Sequence, residues 1–142
     1  MGKRTAKAAM TRRLKIRDER GQAMTEFALV LPILALLLFG VIQFGITFNN
    51  YLTLTDAVRA GARKGAVARN VNGNREAVVR QAVVDASTDL DASSLNVTVS
   101  VSPGWEQGAD VTVTATYPYS INLLGVGVKS GRLSSSTTER VE

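Results

Sequence analysis

Residues 17–48 have the sequence RDERGQAMTEFALVLPILALLLFGVIQFGITF, in which a charged stretch changes abruptly to an apolar one. A single carboxylate, Glu26, lies at the junction, and residues 27–48 carry no charge. As an α-helix rising about 1.5 Å per residue, residues 27–48 would be about 33 Å long, and the hydrocarbon core of a bilayer is about 30 Å thick. The stretch therefore predicts a membrane-spanning helix.

The charge of Glu26 separates the possible kinds of membrane segment. A secretory signal peptide has an apolar region of about 7–15 residues followed by a small-residue cleavage site, and residues 48–52, FNNYL, offer no such site. A plain signal anchor fits the length but gives Glu26 no role. Because a charge within a membrane helix costs about 2.5–3.5 kcal/mol, we expect Glu26 to have a partner and a function.

The positive charge of the chain is confined to its first residues. The formal net charge is +5, but the first 21 residues hold eight Lys/Arg against two acidic residues, and the remainder holds nine against ten. A basic flank on one side of an apolar span predicts a cytoplasmic N-terminus and a translocated C-terminus. No aromatic residues are interleaved with these charges, so no nucleic-acid partner is expected.

Gly21 before the apolar segment, with Glu26 as the fifth residue after it, resembles the cleavage site of type IV prepilins and pseudopilins. The resemblance implies that a prepilin peptidase cuts between Gly21 and Gln22. It also implies that the apolar helix, including Phe27, remains as a packing spine, while Glu26 of an incoming subunit pairs with the new N-terminal amine of a neighbour. One departure is Gln22, where common type IV pilins have phenylalanine. An N-terminal glutamine can cyclise, which would remove that amine.

Two runs resemble the TadE-like minor pseudopilins of tight-adherence (Flp-type) pilus systems: residues 21–32, GQAMTEFALVLP, and residues 57–66, AVRAGARKGA. The resemblance implies a non-catalytic accessory subunit used in pilus assembly, adhesion or secretion. Its expected partners are the prepilin peptidase, other pilin and pseudopilin subunits and membrane lipid. The expected location is the inner (cytoplasmic) membrane, in a single pass, or the pilus itself.

The amino-acid composition argues against catalysis. The chain has no cysteine and no histidine, which excludes Cys/His zinc sites, Ser-His-Asp triads and Cys-His dyads. Asp85, Asp89 and Asp91 lie close together, but an EF-hand would also need a loop glycine and a terminal glutamate. We expect a solvated acidic end there, with no metal, no cofactor and no enzymatic activity.

Beyond the apolar span, the helix is expected to continue past Asn49-Asn50, with Leu54, Val58, Ala62 and Val67 forming an apolar stripe. Beside the stripe, small residues recur every four positions at Ala57, Gly61 and Gly65. Small residues at this spacing let helix backbones approach closely. The pattern predicts close packing, either against the protein's own head or against a neighbouring subunit.

The remaining sequence predicts a small α+β head. A second helix is expected over Arg75 to Asp89, with Asn74 as its N-cap. Alternating apolar residues predict strands at 95–102, 111–117 and 132–141, with Ile121 to Val128 as an apolar loop. The predicted fold class is therefore α+β: a long N-terminal transmembrane helix, one short helix and a three-stranded antiparallel sheet, forming a pilin-like head.

The expected organisation is a basic leader at 1–21, a transmembrane and extended helix at 22–69, and an extracytoplasmic head at 70–142. Two alternatives to the pseudopilin remain open. An uncleaved bitopic anchor or assembly scaffold would keep its leader and use Glu26 to pair with another membrane protein. A membrane-tethered enzyme is the weakest hypothesis, because no nucleophile–base pair is visible in the sequence.

Overall fold

The computed structural model describes the backbone of residues 4–123 and 125–142, and the side chains of residues 21–122, 125 and 127–142. The side chains of the predicted leader before Gly21 lie outside these ranges. The elements, besides a short 3-10 helix at Ala68–Asn70, are α1 (Arg4–Ala66), α2 (Arg75–Ala86), β1 (Asn96–Ser102), β2 (Asp110–Leu123) and β3 (Val126–Arg140).

Helix α1 is continuous through Pro32. It also continues through Asn49-Asn50, as the sequence predicts. The chain divides into two compact units, Met1–Val41 and Ile42–Glu142, so the second unit contains the C-terminal part of α1. The boundaries predicted from the sequence, after residues 21 and 69, stay predictions.

The three strands form one antiparallel sheet in the order β1-β2-β3, which confirms the predicted α+β fold class. In the register, Val99 pairs with Val113, and Thr114 pairs with Ser136. Because side chains alternate along a strand, the face that bears Val99 and Val113 is apolar on β1 and β2, and the opposite face is lined mainly with hydroxyl groups. On the polar face Thr112 and Thr138 share a 2.8 Å hydrogen bond between their Oγ1 atoms.

The core lies between the apolar face of the sheet, α2 and the C-terminal part of α1. Its largest fully buried side chains are Leu54, Val58, Val79, Val83, Val111, Val113 and Val141. Trp105 packs against this cluster from the β1–β2 connection. The prediction that Val67 continues the buried stripe is wrong, since its side chain is 56% exposed. Helix α1 ends at Ala66, so Val67 leaves the helical period.

Helix α2 begins as predicted but ends earlier. Asn74 is the N-cap, with its Oδ1 accepting a 3.0 Å hydrogen bond from the backbone N–H of Ala77. The helix was expected to reach Asp89 but ends at Ala86. The hydroxyl of Ser87 donates to the carbonyl of Val84 at 2.8 Å, and such local bonds compete with continuation of the helix.

The predicted loop over Ile121 to Val128 is wrong, and so is the expectation that β2 closes at Tyr117. Strand β2 continues to Leu123 and β3 begins at Val126 rather than Arg132. The two strands pair over this extra length, with Tyr117 opposite Leu133 and Ile121 opposite Lys129. Gly125 has a φ of 85°, which supplies the left-handed conformation that a tight hairpin turn needs.

A pair of substitutions tests the difference between a buried and an exposed leucine on α1. Leu54 is 0% exposed, whereas Leu52, two residues earlier on the same helix, is 47% exposed. We expect Leu54→Ala to lower the free energy of unfolding by about 2–5 kcal/mol, because the cavity cannot fully collapse. Leu52→Ala is the matched control, with a change within about 0.5 kcal/mol. The stability of both variants is measured by thermal unfolding in detergent, followed through the near-ultraviolet circular dichroism of Trp105.

Candidate assembly segment and its packing surface

The residues predicted at the cleavage and assembly site lie on two consecutive turns of α1. Gly21, Gln22, Glu26 and Phe27 are all exposed. A Cβ atom placed on Gly21 would meet no other atom within 4 Å. The structure therefore presents the Gly21–Gln22 peptide bond on an uncovered helix surface, in helical conformation.

Thr25 is a residue of this segment that the sequence analysis did not single out. Its Oγ1 donates a 2.9 Å hydrogen bond to the carbonyl oxygen of Gly21, which belongs to the peptide bond predicted to be cut. The backbone N–H of Thr25 is also the regular helical partner of that carbonyl. Thr25 therefore adds a side-chain hydrogen bond to the backbone bond that holds this carbonyl in the helix.

Glu26 lies four residues after Gln22 and hence on the same face of the helix. In the intact chain it is an interior residue of α1, since α1 begins at Arg4. A cut after Gly21 would make Gln22 the first residue, which would place Glu26 near the positive end of the helix dipole. A carboxylate in that position gains about 0.3–1 kcal/mol. The cut would therefore change the electrostatic environment of Glu26 without moving it along the helix.

The apolar segment of α1 is largely uncovered within each unit. Phe27 is 61% exposed, Leu37 62% and Phe44 69%. Leaving one large apolar side chain in water, rather than burying it, costs about 1.5–3 kcal/mol. In the described part of the chain, α1 is the one helix that is long and apolar enough to cross a membrane. These features are consistent with a single-pass membrane protein.

The small-residue stripe packs within the protein's own C-terminal unit. Ala57, Gly61 and Gly65 are buried. A Cβ on Gly61 would overlap the Cγ2 of Val83 in α2. A Cβ on Gly65 would lie 2.8 Å from the Cγ1 of Val111 in β2. Of the two alternatives left by the sequence, these contacts correspond to packing against the protein's own head.

The C-terminal end of α1 is held by a contact that the sequence does not predict. The backbone N–H of Glu142 donates to the carbonyl oxygen of Ala66 at 3.0 Å, and Val141 bonds to Ala109 at 2.8 Å. Carbonyl groups in the last turn of a helix lack partners within the helix. The segment after β3 supplies one partner and fixes the end of α1 to the start of β2.

The charged residues elsewhere in the C-terminal unit have local roles. Arg59 Nη1 lies 3.4 Å from Asp56 Oδ1, with both side chains mostly exposed, and such surface pairs contribute little stability. Hydrogen bonds from the Ser93 side chain and backbone, and then from the Ser94 hydroxyl, lower the pKa of the Asp91 carboxyl. Within the part of the chain that the structure describes, no three acidic side chains are grouped in a way that could hold a metal ion.

A comparison with known families identifies the first part of this architecture. Residues 21–63 match the family model described as TadE-like protein. This segment is TadE-like. The match confirms the resemblance seen in the sequence and begins at Gly21, so it includes Glu26, the apolar segment and the first two residues of the small-residue stripe.

TadE-like proteins belong to Tad pilus systems and form a structural, pilus-associated family. No curated protein and no solved structure matches the chain.

The glycines of α1 give a test of the packing surface. We expect Gly61→Ala to destabilise the C-terminal unit by about 1–3 kcal/mol, because the added methyl group overpacks the contact with Val83. Gly45→Ala is the matched control, since nothing lies within 4 Å of its Cβ position. Thermal unfolding followed through Trp105 should show a lower Tm for the first variant only. An equal or higher Tm for Gly61→Ala would contradict the close packing at this position.

Proposed function

We propose that this protein is a minor pseudopilin of a tight-adherence type IV pilus, a non-catalytic structural subunit held in the inner membrane by residues 27–48. The observation that carries the proposal is the TadE-like match over residues 21–63, which coincides with the uncovered apolar part of α1. Its role would be in pilus assembly, and through the pilus in adhesion or secretion.

The first step of the proposed function is processing by a prepilin peptidase between Gly21 and Gln22. The basic residues that precede Gly21 would keep this bond on the cytoplasmic side of the membrane. The exposed backbone at Gly21, without a side chain in the way, supports access by a peptidase. The peptidase would have to unwind the first turns of this segment, because Thr25 engages the carbonyl of Gly21.

The second step is assembly through Glu26. An unpaired carboxylate in a membrane helix is costly, and the amine released at Gln22 of a neighbouring subunit would be a partner of opposite charge. Pairing offsets part of the cost of both buried charges, whereas breaking the pair leaves each charge uncompensated, so pairing favours one longitudinal register of adjacent helices. The uncovered side chains of residues 27–48 then supply the apolar contacts between neighbouring helices.

Processing is tested by the N-terminal mass of the full chain, purified from membranes of cells that express the partner peptidase. We expect the wild-type chain to begin at Gln22 and Gly21→Ala to retain its leader, because the added methyl group would block the peptidase's glycine position. Gly40→Ala serves as the control, since its Cβ position is equally open and its processing should be normal. An intact leader on the wild-type chain would favour the uncleaved anchor instead.

Assembly is tested by replacing the carboxylate of Glu26 with a neutral isostere. We expect Glu26→Gln to insert and to be processed normally, but to associate with partner pilin subunits about a hundredfold more weakly, because an amine left unpaired in the membrane costs about 2.5–3.5 kcal/mol. Asp56→Asn removes an exposed carboxylate outside the apolar segment and should associate normally. Co-purification with the partner subunits measures the association of both variants. Unchanged association of Glu26→Gln would contradict the role proposed for Glu26.

A further inference from the structure

The β2–β3 hairpin extends beyond the rest of the sheet. Strand β1 pairs with β2 only as far as the pair Asn96–Thr116, whereas β2 and β3 remain paired to Leu123 and Val126. Residues 117–133 therefore form a two-stranded projection, which we name the hairpin arm. An isolated two-stranded hairpin is marginally stable in water, so the arm gains from contact with another surface.

The contacts of α1 indicate the direction in which the arm points. Gly65 faces Val111 and Gly61 faces Val113, so α1 and β2 run in opposite directions within the C-terminal unit. Four residues along the helix cover about 6 Å and two residues along the strand cover about 6.6 Å. Successive contacts between the two elements therefore stay aligned. The arm therefore extends towards the N-terminal part of α1, the side from which the apolar segment enters the unit.

The length of the arm brings it level with the apolar segment. The eight residues from Val113 to Ile121 span about 26 Å as a strand, which equals about 18 helix residues. Counted back from Gly61, this places Ile121 level with Gln43, inside the uncharged stretch that ends at Phe48. With about a quarter of this length lost to strand twist, Ile121 and its partner Lys129 lie level with Phe48, at the end of the uncharged stretch. From there a lysine side chain can extend its ammonium group to the headgroups.

The composition of the arm suits a membrane surface. Val128 is 60% exposed, and the residues at the tip, Leu123, Leu124 and Val126, are apolar in sequence although their side chains lie outside the described ranges. The ring of Tyr119 lies across Gly131, where a Cβ atom would approach its hydroxyl to 3.0 Å. Tyrosine with an apolar body and a polar tip is favoured at membrane interfaces.

The charges of the arm have one sign. Between residues 111 and 138 the only charged residues are Lys129 and Arg132, and there is no carboxylate. Both are on β3, close to the tip in sequence, and both are exposed. A cationic pair behind an apolar tip complements a bilayer with anionic headgroups over its acyl chains.

We propose that the hairpin arm docks on the membrane beside the protein's own apolar helix, with its tip in the interfacial layer and Lys129 and Arg132 at anionic phospholipid headgroups. The proposal rests on the proposed membrane insertion of residues 27–48. The head is then held to the bilayer at two places, the helix and the arm, and both must be released when the subunit leaves the membrane.

Site-directed fluorescence on the full chain tests the proposal. The chain has no native cysteine, so Leu38→Cys, Val128→Cys and Thr138→Cys each give one labelling site for bimane, in the apolar helix, on the arm and at the far end of β3. Each labelled protein is placed in vesicles of phosphatidylcholine and phosphatidylglycerol that carry doxyl quenchers both near the headgroup end and near the middle of the acyl chain, because residue 38 is at the midpoint of the apolar segment. We expect the labels at 38 and 128 to lose fluorescence and the label at 138 to keep it.

The three labels distinguish failure of the arm from failure of the proposed function. Quenching at 38 without quenching at 128 would overturn the docking of the arm and leave membrane insertion intact. The absence of quenching at both would overturn insertion itself. Quenching at 128 should be the same at low and high protein density in the vesicles. A label at 128 that becomes shielded as the density rises would show that a second copy, not lipid, covers the arm.

The charge contribution has its own test in the Val128→Cys protein. Quenching at 128 should increase with the fraction of phosphatidylglycerol. The double change Lys129→Gln and Arg132→Gln should remove this increase, while the label at 38 stays quenched. A dependence on phosphatidylglycerol that survives the double change would overturn the role of the two cations. The near-ultraviolet signal of Trp105 verifies that each variant is folded, as expected for substitutions at exposed positions.

Discussion

The close approach of α1 to α2 and the sheet at Gly61 and Gly65 is the contact on which the C-terminal unit depends. Glycine weakens an isolated helix by about 1 kcal/mol relative to alanine, but here it lets Val83 and Val111 reach the helix backbone. The residues from α2 onward are too few for a self-sufficient core. They complete the core by enclosing Leu54 and Val58 of α1. The head is therefore built around the helix rather than attached to its end.

This arrangement divides one helix between two environments. Residues 54–66 are largely occupied by the protein's own head, whereas the side chains of residues 27–48 remain available to lipid or to other helices. Glu26 lies at the N-terminal end of the available part, and in the proposed function it would set the register of a neighbouring helix there. In the proposed function, assembly, anchoring and folding would therefore use successive parts of α1.

Local patterns in the sequence were sufficient for the helices, the three strands and the cap at Asn74, because each depends on neighbours within a few residues. They failed at residues 121–128, where glycines suggested a loop but pairing with a distant strand continues β2 and β3. The spacing of Ala57, Gly61 and Gly65 predicted close packing but not its partner, which is set by the positions of Val83 and Val111. The hydrogen bonds of Thr25 to Gly21 and of Glu142 to Ala66 depend on side-chain and chain-end geometry that no sequence period reports.

The outward face of the sheet has a consequence for the conditions in which the head stays soluble. Two cross-strand rows on this face, Thr98–Thr114–Ser136 and Ser100–Thr112–Thr138, consist entirely of hydroxyl residues, and Thr114 and Ser136 are hydrogen-bonded to each other at 2.9 Å. Hydroxyls of this kind neither gain nor lose a proton between acid and alkaline solution. Salt has no charge to screen in these rows. The hydration of this surface is therefore indifferent to acidity and to ionic strength.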